Sequence, residues 1–311
     1  MKNIFVAILL VIILKSVSFA GDEIVVITID GGIGPAVTEY IESGMEYSDE
    51  INAQLLVIKL NTPGGLLEST RDIVSGILES PVPIAVFVAP SGARAGSAGV
   101  FITLAGHIAA MAPGTNIGAA HPVGLGGESG DSASVMYDKV TNDAAAFIRS
   151  IAEKREKNVE WAEKAVRESI SATEEEALEA GVIDFISPDL DSLLKQINGM
   201  VIETSRGEKE LNTVDADIEM LDMNWREELL SIISDPNIAY ILLMLGIYGL
   251  LFELYSPGSI FPGVIGGISI LLGLYSLQML PINYAGLGLI VLAIILFIIE
   301  IYVTSFGLLT V

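Results

Sequence analysis

Two hydrophobic rhythms divide this chain. Up to about residue 235, short Val/Ile-rich runs alternate with stretches of helical period; beyond it, apolar residues run almost without a break. The runs Ile24–Ile29, Ala53–Leu60, Pro83–Val88 and Ile108–Met111 predict strands. Between them, Gly34–Met45, Leu66–Leu78 and a small-residue stretch from Ser97 predict helices. Asp30-Gly31-Gly32 and Pro63-Gly64-Gly65 predict turns, and Pro90–Gly96 a loop. Strands alternating with helices of this length imply an α/β domain with a mainly parallel, helix-covered sheet.

Further on, the Gly- and Ser-rich stretch Gly124–Ser134 predicts a mobile surface loop. A long helix from Val135 to about Lys157, a second over Val159–Ser169 and a third over Ser171–Ala180 follow. Ser171-Ala172-Thr173-Glu174 carries a hydroxyl three residues before a carboxylate, a capping pattern. Gly181 stops that helix, and Val182-Ile183-Asp184 predicts a strand. Val201–Leu211, with Arg206-Gly207 at its centre, predicts a hairpin. Trp225–Ile233 is amphipathic and stops at Asp235-Pro236, reading either as a surface helix or as one lying in a membrane interface.

Three runs then approach the ~20 apolar residues that cross a hydrocarbon core: Ile238–Leu254, Ile260–Leu280 and Leu287–Val303. The links Tyr255-Ser256-Pro257-Gly258 and Pro281-Ile282-Asn283 are short, which predicts packed helical hairpins. Gly263 and Gly267 have the spacing for close helix approach. Glu300, inside the last run, is a functional candidate as an intramembrane acid, though its nearness to the span end favours reaching for the interface. No Lys or Arg follows Arg226, so loop charge gives these spans no orientation. At the other end, Lys2, the apolar Ile4–Leu14 and the small residues of Ser18-Phe19-Ala20 form an export signal, with an uncleaved anchor as the alternative. Either delivers the segment after Gly21 across the membrane. The division expected is a signal over 1–20, a soluble domain over 21–235 and a membrane region over 236–311. The apolar tail Ser305–Val311 reads as a protein cut before its natural end.

Composition narrows the chemistry. Among 311 residues, 51% are hydrophobic, yet the net charge is -23. That balance argues against nucleic acid and against peripheral binding to anionic lipid. Without cysteine there is no disulfide, thiolate nucleophile or cysteine metal site. His107 and His121 are the only histidines, too few for an ordinary histidine metal cluster, so no metal or cofactor is expected. No Gly-x-x-x-x-Gly-Lys-Ser/Thr motif offers a nucleotide cradle.

Ser97 sits among small residues at a strand–loop–helix junction, where its hydroxyl would stand at a helix N-terminus with outward amides. Position 95 is alanine, so this is not the Gly-x-Ser-x-Gly elbow; helix packing is the plainer reading of such a serine. The Pro63-Gly64-Gly65 turn adds backbone amides that no Cβ shields. For a base, Lys139 is the one lysine between Ser97 and the distal helices. It would have to be neutral, which demands burial that draws a lysine from about 10.4 toward ~7–8. Helical spacing sets it beside Met136 and Val140 at the border of an apolar stripe. His121, with Asp131 as a candidate partner, is the competing base or a pocket-lining residue, and His107 reads as structural.

Asn61-Thr62-Pro63-Gly64-Gly65, then Arg94-Ala95-Gly96-Ser97-Ala98-Gly99, then Gly114-Thr115-Asn116-Ile117-Gly118-Ala119-Ala120-His121-Pro122 together resemble the NfeD-type membrane-bound serine proteases of the ClpP class, the stomatin operon partner proteins. Glu176-Ala177-Leu178 to Gly181-Val182-Ile183-Asp184 is similar to the closing segment of ClpP and crotonase folds. Ser256-Pro257-Gly258 with Phe261-Pro262-Gly263 is similar to the start of the NfeD membrane region. The likeness spans Glu23 to Val311. It implies a ClpP/crotonase-like α/β domain followed by a helical transmembrane domain, and a catalytic pair of Ser97 and Lys139. It also implies oxyanion amides at Gly65 and Ala98, with Gly64 and His121 near the substrate. Further implications are cleavage of apolar segments such as the C-terminal region of a stomatin-like protein, homo-oligomers, and a multi-pass cell-membrane protein with its protease domain outside the cytoplasm. Long members carry a further span and an OB-type domain that are missing here. The competing functions are a non-catalytic membrane scaffold for stomatin-like proteins, a protease of the signal-peptide-peptidase type and, more distantly, an acyl-CoA enzyme on the crotonase fold.

Overall fold

The computed structural model describes residues 23–122, 131–255, 260–277, 286, 288–293 and 295–296. The export signal, Glu300, the C-terminal tail and most of the third span lie outside them. In chain order the elements are β1 (Glu23–Asp30), α1 (Pro35–Glu50), β2 (Leu55–Asn61), α2 (Leu67–Glu79), β3 (Ile84–Val88), β4 (Arg94–Gly96), α3 (Ala98–Ala105), β5 (Ile108–Met111) and β6 (Asn116–Gly118). Then come α4 (Asp131–Lys154), α5 (Val159–Arg167), β7 (Ser171–Thr173), α6 (Glu174–Glu179), β8 (Phe185–Ile186), α7 (Leu190–Ile197), β9 (Val201–Thr204), β10 (Gly207–Glu210) and β11 (Asp217–Met220). The helices α8 (Trp225–Ile233), α9 (Pro236–Tyr255) and α10 (Ile260–Ser276) close the series.

The main sheet has the order β11-β1-β2-β3-β5-β8, with every pair parallel. Its central strands are unbroken apolar runs because helices cover both faces: Leu55, Leu56, Val57 and Ile58 are all wholly buried, as are Ile84, Ala85 and Val86. A second sheet, β4-β6-β7, stands beyond the C-terminal ends of these strands, and β9 and β10 form the expected hairpin around Arg206-Gly207. The chain leaving β2 joins the two layers. Thr62 donates its N–H to Arg94 O (2.8 Å) and accepts from Gly96 N–H (2.9 Å).

Several local expectations shift. Ser171–Thr173 is a strand rather than a helix start, because Ala172 pairs with Ile117 in the second sheet. The cap therefore moves two residues on: Thr173 and Glu176 form the capping box of α6. The strand expected over Val182-Ile183-Asp184 begins at Phe185. Asp184 is instead drawn to Ala109 N–H and to the buried ammonium of Lys157. The part of the predicted loop from Asp131 to Ser134 is the first turn of α4, while residues 123–130 lie outside the described set. The Pro90–Gly96 loop contains β4.

The chain forms two compact units, dividing between Asp222 and Met223, one helix before the boundary expected at 235/236. In the second unit α9 is long and apolar enough to cross a membrane over Asn237–Tyr255, and α10 is a shorter apolar helix. They pack as a hairpin, and of the glycine pair chosen from spacing Gly263 takes part in the contact while Gly267 does not. Gly246 and Gly249 meet Gly266 backbone to backbone: a Cβ on Gly249 would lie 2.9 Å from Gly266 Cα. Gly263 faces the Glu253 side chain, which accepts its N–H at 3.3 Å, and Gly267 faces Leu292.

Candidate active site

Beyond the C-terminal ends of β2 and β3, two turns are forced together. Ser97 follows β4 and caps α3 with φ 48° and ψ -106°, a conformation that L-residues avoid. Such geometry costs about 1–3 kcal/mol and persists only when the surroundings over-determine it. Here they do. Gly96 N–H is held by Thr62 O, Ser97 N–H donates to Ala119 O (3.1 Å), and Ser97 O accepts from Val100 N–H (3.0 Å). The hydroxyl is thereby pushed out of the helix it begins. It makes no hydrogen bond among the described residues, and Ser97 is partly exposed.

Facing it is Gly64, with φ +123°. A Cβ there would lie 2.6 Å from Ser97 Cβ and 3.2 Å from Oγ, so only glycine lets the turn come this close. Its carbonyl accepts from Ile33 N–H (2.9 Å). In a trans peptide the following N–H points the opposite way, so the Gly65 N–H is aimed away from Ile33 and finds no acceptor among the described residues. Gly65 is pinned as well: a Cβ on it would fall 2.0 Å from Ile33 O. On the other side, Ala98 is the first residue of α3, and its N–H belongs to the donors a helix N-terminus leaves unpaired. The structure thus gathers Ser97, Gly64, Gly65 and Ala98 around one point where partial positive charge converges.

Lys139 departs from expectation. The buried stripe of α4 is Thr141, Ala144, Ala145, Ile148, Ile151 and Ala152. Lys139 precedes Ile148 by nine residues, half a revolution at 100° each, so it faces outward and is exposed, with no hydrogen bond or ion pair among the described residues. Val140, on the stripe anticipated, is only partly buried. His121 is fully engaged. Its Nδ1 meets Val166 O at 2.6 Å, so that nitrogen carries the proton, and Nε2 is left to accept from the Tyr137 hydroxyl. That clasp ties the start of α4 to the segment whose Ala119 holds Ser97. Asp131, the suggested partner, has its side chain outside the described residues. His107 is structural, as expected. Its Nδ1 accepts from Ile84 N–H (3.2 Å), and burial, reinforced by Arg155 and Lys154, pulls it down to about 3. The clasp and the flipped 64–65 peptide escaped sequence reasoning; the doubled glycine after a buried strand was the only trace of the latter.

A strained hydroxyl between two free backbone amides, on an α/β domain joined to a helical membrane unit, defines a membrane-tethered hydrolase scaffold. The comparisons agree. The NfeD1b N-terminal domain model matches residues 23–220, and the NfeD integral membrane domain model matches 237–311. The chain belongs to the NfeD family of membrane proteins, which includes a membrane-bound protease. It is 36% identical over 313 residues to the membrane-bound protease PH1510 of Pyrococcus horikoshii, an alignment covering 100% of this chain and 71% of that one. It is also 28% identical over 281 residues to membrane protein NfeD1b of Bacillus subtilis, covering 89% and 61%. Among solved structures, the 1510-N membrane protease specific for a stomatin homolog from Pyrococcus horikoshii superposes with a TM-score of 0.59 at 32% identity, over 69% of this chain and 99% of that one. A lysine-to-alanine mutant of that protease in complex with a substrate peptide gives 0.62 at 32% identity, with the same coverage.

Proposed function

We propose that the chain is an ATP-independent serine endopeptidase that cuts apolar segments, such as the C-terminal region of a stomatin-like membrane protein. The observation that carries this reading is the strained Ser97 hydroxyl facing Gly64 between the free N–H groups of Gly65 and Ala98. In it, Ser97 Oγ attacks the scissile carbonyl carbon while its proton passes to a neutral Lys139 Nζ. The oxyanion that forms takes hydrogen bonds from Gly65 and Ala98. Collapse breaks the C–N bond and the amine leaves with the proton from Lys139; water, deprotonated by the now neutral Lys139 Nζ, then hydrolyses the acyl ester, and Ser97 Oγ recovers that proton. The exposure of Lys139 in the free form means that the dry surroundings a lysine base needs arrive with the substrate, whose apolar flanks displace water from Lys139. Solved relatives include a lysine-to-alanine form with a substrate peptide and a serine-to-alanine form, which supports the pairing.

Cleavage of an apolar peptide by the full chain and by Ser97→Ala tests this. Loss of turnover in the variant is expected, and equal turnover overturns the assignment. The exposed, unpaired Lys139 favours one other reading, a scaffold for stomatin-like proteins. The scaffold wins if neither form cuts but both retain a stomatin-like partner. The proposal includes a multi-pass anchor in the cell membrane, residues 23–222 outside the cytoplasm, and assembly as a homo-oligomer. Protease added to spheroplasts then degrades that segment, and protection until permeabilisation reverses the topology.

A further inference from the structure

The parallel sheet has a second end. Ser97 stands beyond the C-terminal ends of its strands. At the N-terminal ends a cavity of about 590 Å³ opens between the ends of α2 and α4 and the β9–β10 hairpin. The hairpin is tethered there by Ser205 N–H to Ser80 O (3.3 Å). Three basic groups converge on this cavity in a chain where acids outnumber Lys and Arg by 39 to 16. Arg155 uses Nε on Ala105 O (2.7 Å) and one Nη on Ile77 O (3.3 Å). Lys154 reaches Leu78 O (3.2 Å). His107, with Nδ1 accepting from Ile84, keeps its proton on Nε2.

None of the three pairs with a carboxylate among the described residues. Glu79, Glu156 and Glu203 also line the cavity, but all are exposed and none forms an ion pair. Burial lowers Arg155 to about 10, and burial followed by Arg155 and Lys154 lowers His107 to about 3. A half-buried guanidinium without a counter-ion is costly, even with helix C-terminal carbonyls beside it. Leu78, Val201 and Ile202 supply an apolar part of the wall, beside the three glutamates, Thr204 and Ser205. The volume far exceeds that of a bare inorganic anion and lies in the range of organic-ligand sites.

We infer that this cavity binds a carboxylate carried on an apolar body, with the carboxylate between Arg155, Lys154 and His107 Nε2 and the body on Leu78, Val201 and Ile202. A short peptide ending in a free apolar C-terminus has this chemistry. The site is separate from Ser97 and does not depend on the protease reading.

The test is equilibrium binding of dye-labelled acyl-Leu-Leu, as the free acid and as the C-terminal amide, to the full chain in nanodiscs. Arg155→Gln disturbs the ends of two helices, so Lys154→Gln and His107→Asn are the informative variants; Asn keeps an acceptor for Ile84 N–H. The free acid is expected to bind at least tenfold more tightly than the amide, and each variant to weaken it three- to tenfold while leaving amide binding unchanged. Inorganic phosphate is expected to compete only at much higher concentration. Equal binding of acid and amide, or full affinity in both variants, overturns the site. Phosphate binding more tightly than the peptide acid overturns the apolar half of the assignment.

Discussion

Replacing Gly64 with alanine probes the site most directly. The new Cβ would lie 2.6 Å from Ser97 Cβ and 3.2 Å from Oγ, where carbon atoms rest at about 3.5–4.0 Å. Relief requires the Thr62–Gly65 turn and Ser97 to part by about 1 Å, on a residue already at φ +123°. Parting them carries the Gly65 N–H off the oxyanion position. A misplacement of that size, or loss of one oxyanion donor, lowers kcat by about 10²–10³, equivalent to roughly 3–4 kcal/mol of transition-state stabilisation. KM should change little, because peptide binding spreads over other contacts. The assay is steady-state cleavage of a fluorogenic apolar peptide, with far-UV circular dichroism to confirm the fold. Gly32→Ala is the control: it lies on the adjoining turn, but its Cβ would meet nothing closer than Gly64 O at 3.8 Å. If Gly64→Ala keeps kcat within threefold of the parent, the 64–65 peptide is not part of the reacting centre.

Four further outcomes follow from the same geometry. Lys139→Arg keeps the charge but removes the only form able to accept a proton, so peptide turnover should fall to the level of Ser97→Ala; activity near the parent level would reassign the base. His107 is held neutral when folded and returns to 6.5 on unfolding. Between about 6.5 and about 3 the unfolded chain therefore takes up a proton the folded chain refuses, and stability falls as pH falls, by up to about 1.4 kcal/mol per pH unit. Urea unfolding of the His107→Asn soluble unit should show a shallower slope in that window, and an unchanged slope would refute the burial argument. Peptides with Leu, Ile, Val or Phe at the scissile bond should be cut faster than equal peptides with Asp or Glu, most of all at low salt, where the acidic surface repels them; equal rates would end the apolar-substrate reading. Finally, Trp225, Leu229 and Ile232 are exposed along one side of α8, two residues before α9. With Trp161→Phe leaving one tryptophan, headgroup-level lipid quenchers should dim Trp225 more than mid-bilayer ones; emission of a water-exposed indole, unquenched, would make α8 an ordinary surface helix.

The elements set by local pattern were legible along the chain. The strands β1, β2, β3 and β5 announce themselves as Val/Ile runs because both of their faces are buried, and α9 does so by sheer length of apolar sequence. The Arg206-Gly207 hairpin and the turn at Pro63-Gly64-Gly65 follow from residues that permit little else. Where a segment's partner lies far away in the chain, local pattern misleads. Ser171–Thr173 carries a helix-start signal, yet becomes a strand because Ile117 and Gly118 offer it a ladder. The three residues of β4 carry no periodicity at all, and are a strand only because Thr62 and Asn116 flank them.

The same division runs through the site. Ser97, Gly64 and Gly65 could be singled out because small residues beside buried strands leave backbone exposed for chemistry. That Ser97 is forced to a positive φ, and that the 64–65 peptide turns its carbonyl to Ile33 and its N–H outward, was decided by contacts across the fold. Lys139 shows the limit most plainly. Its neighbours in sequence suggested an apolar border, but which stripe of α4 is buried depends on what packs beside that helix. The ladder of Thr141, Ala144, Ala145 and Ile148 took that place and turned Lys139 outward. Sequence alone determined which residues are chemically able to act; long-range packing decided which of them meet, because burial and backbone strain belong to the whole fold and not to any one segment.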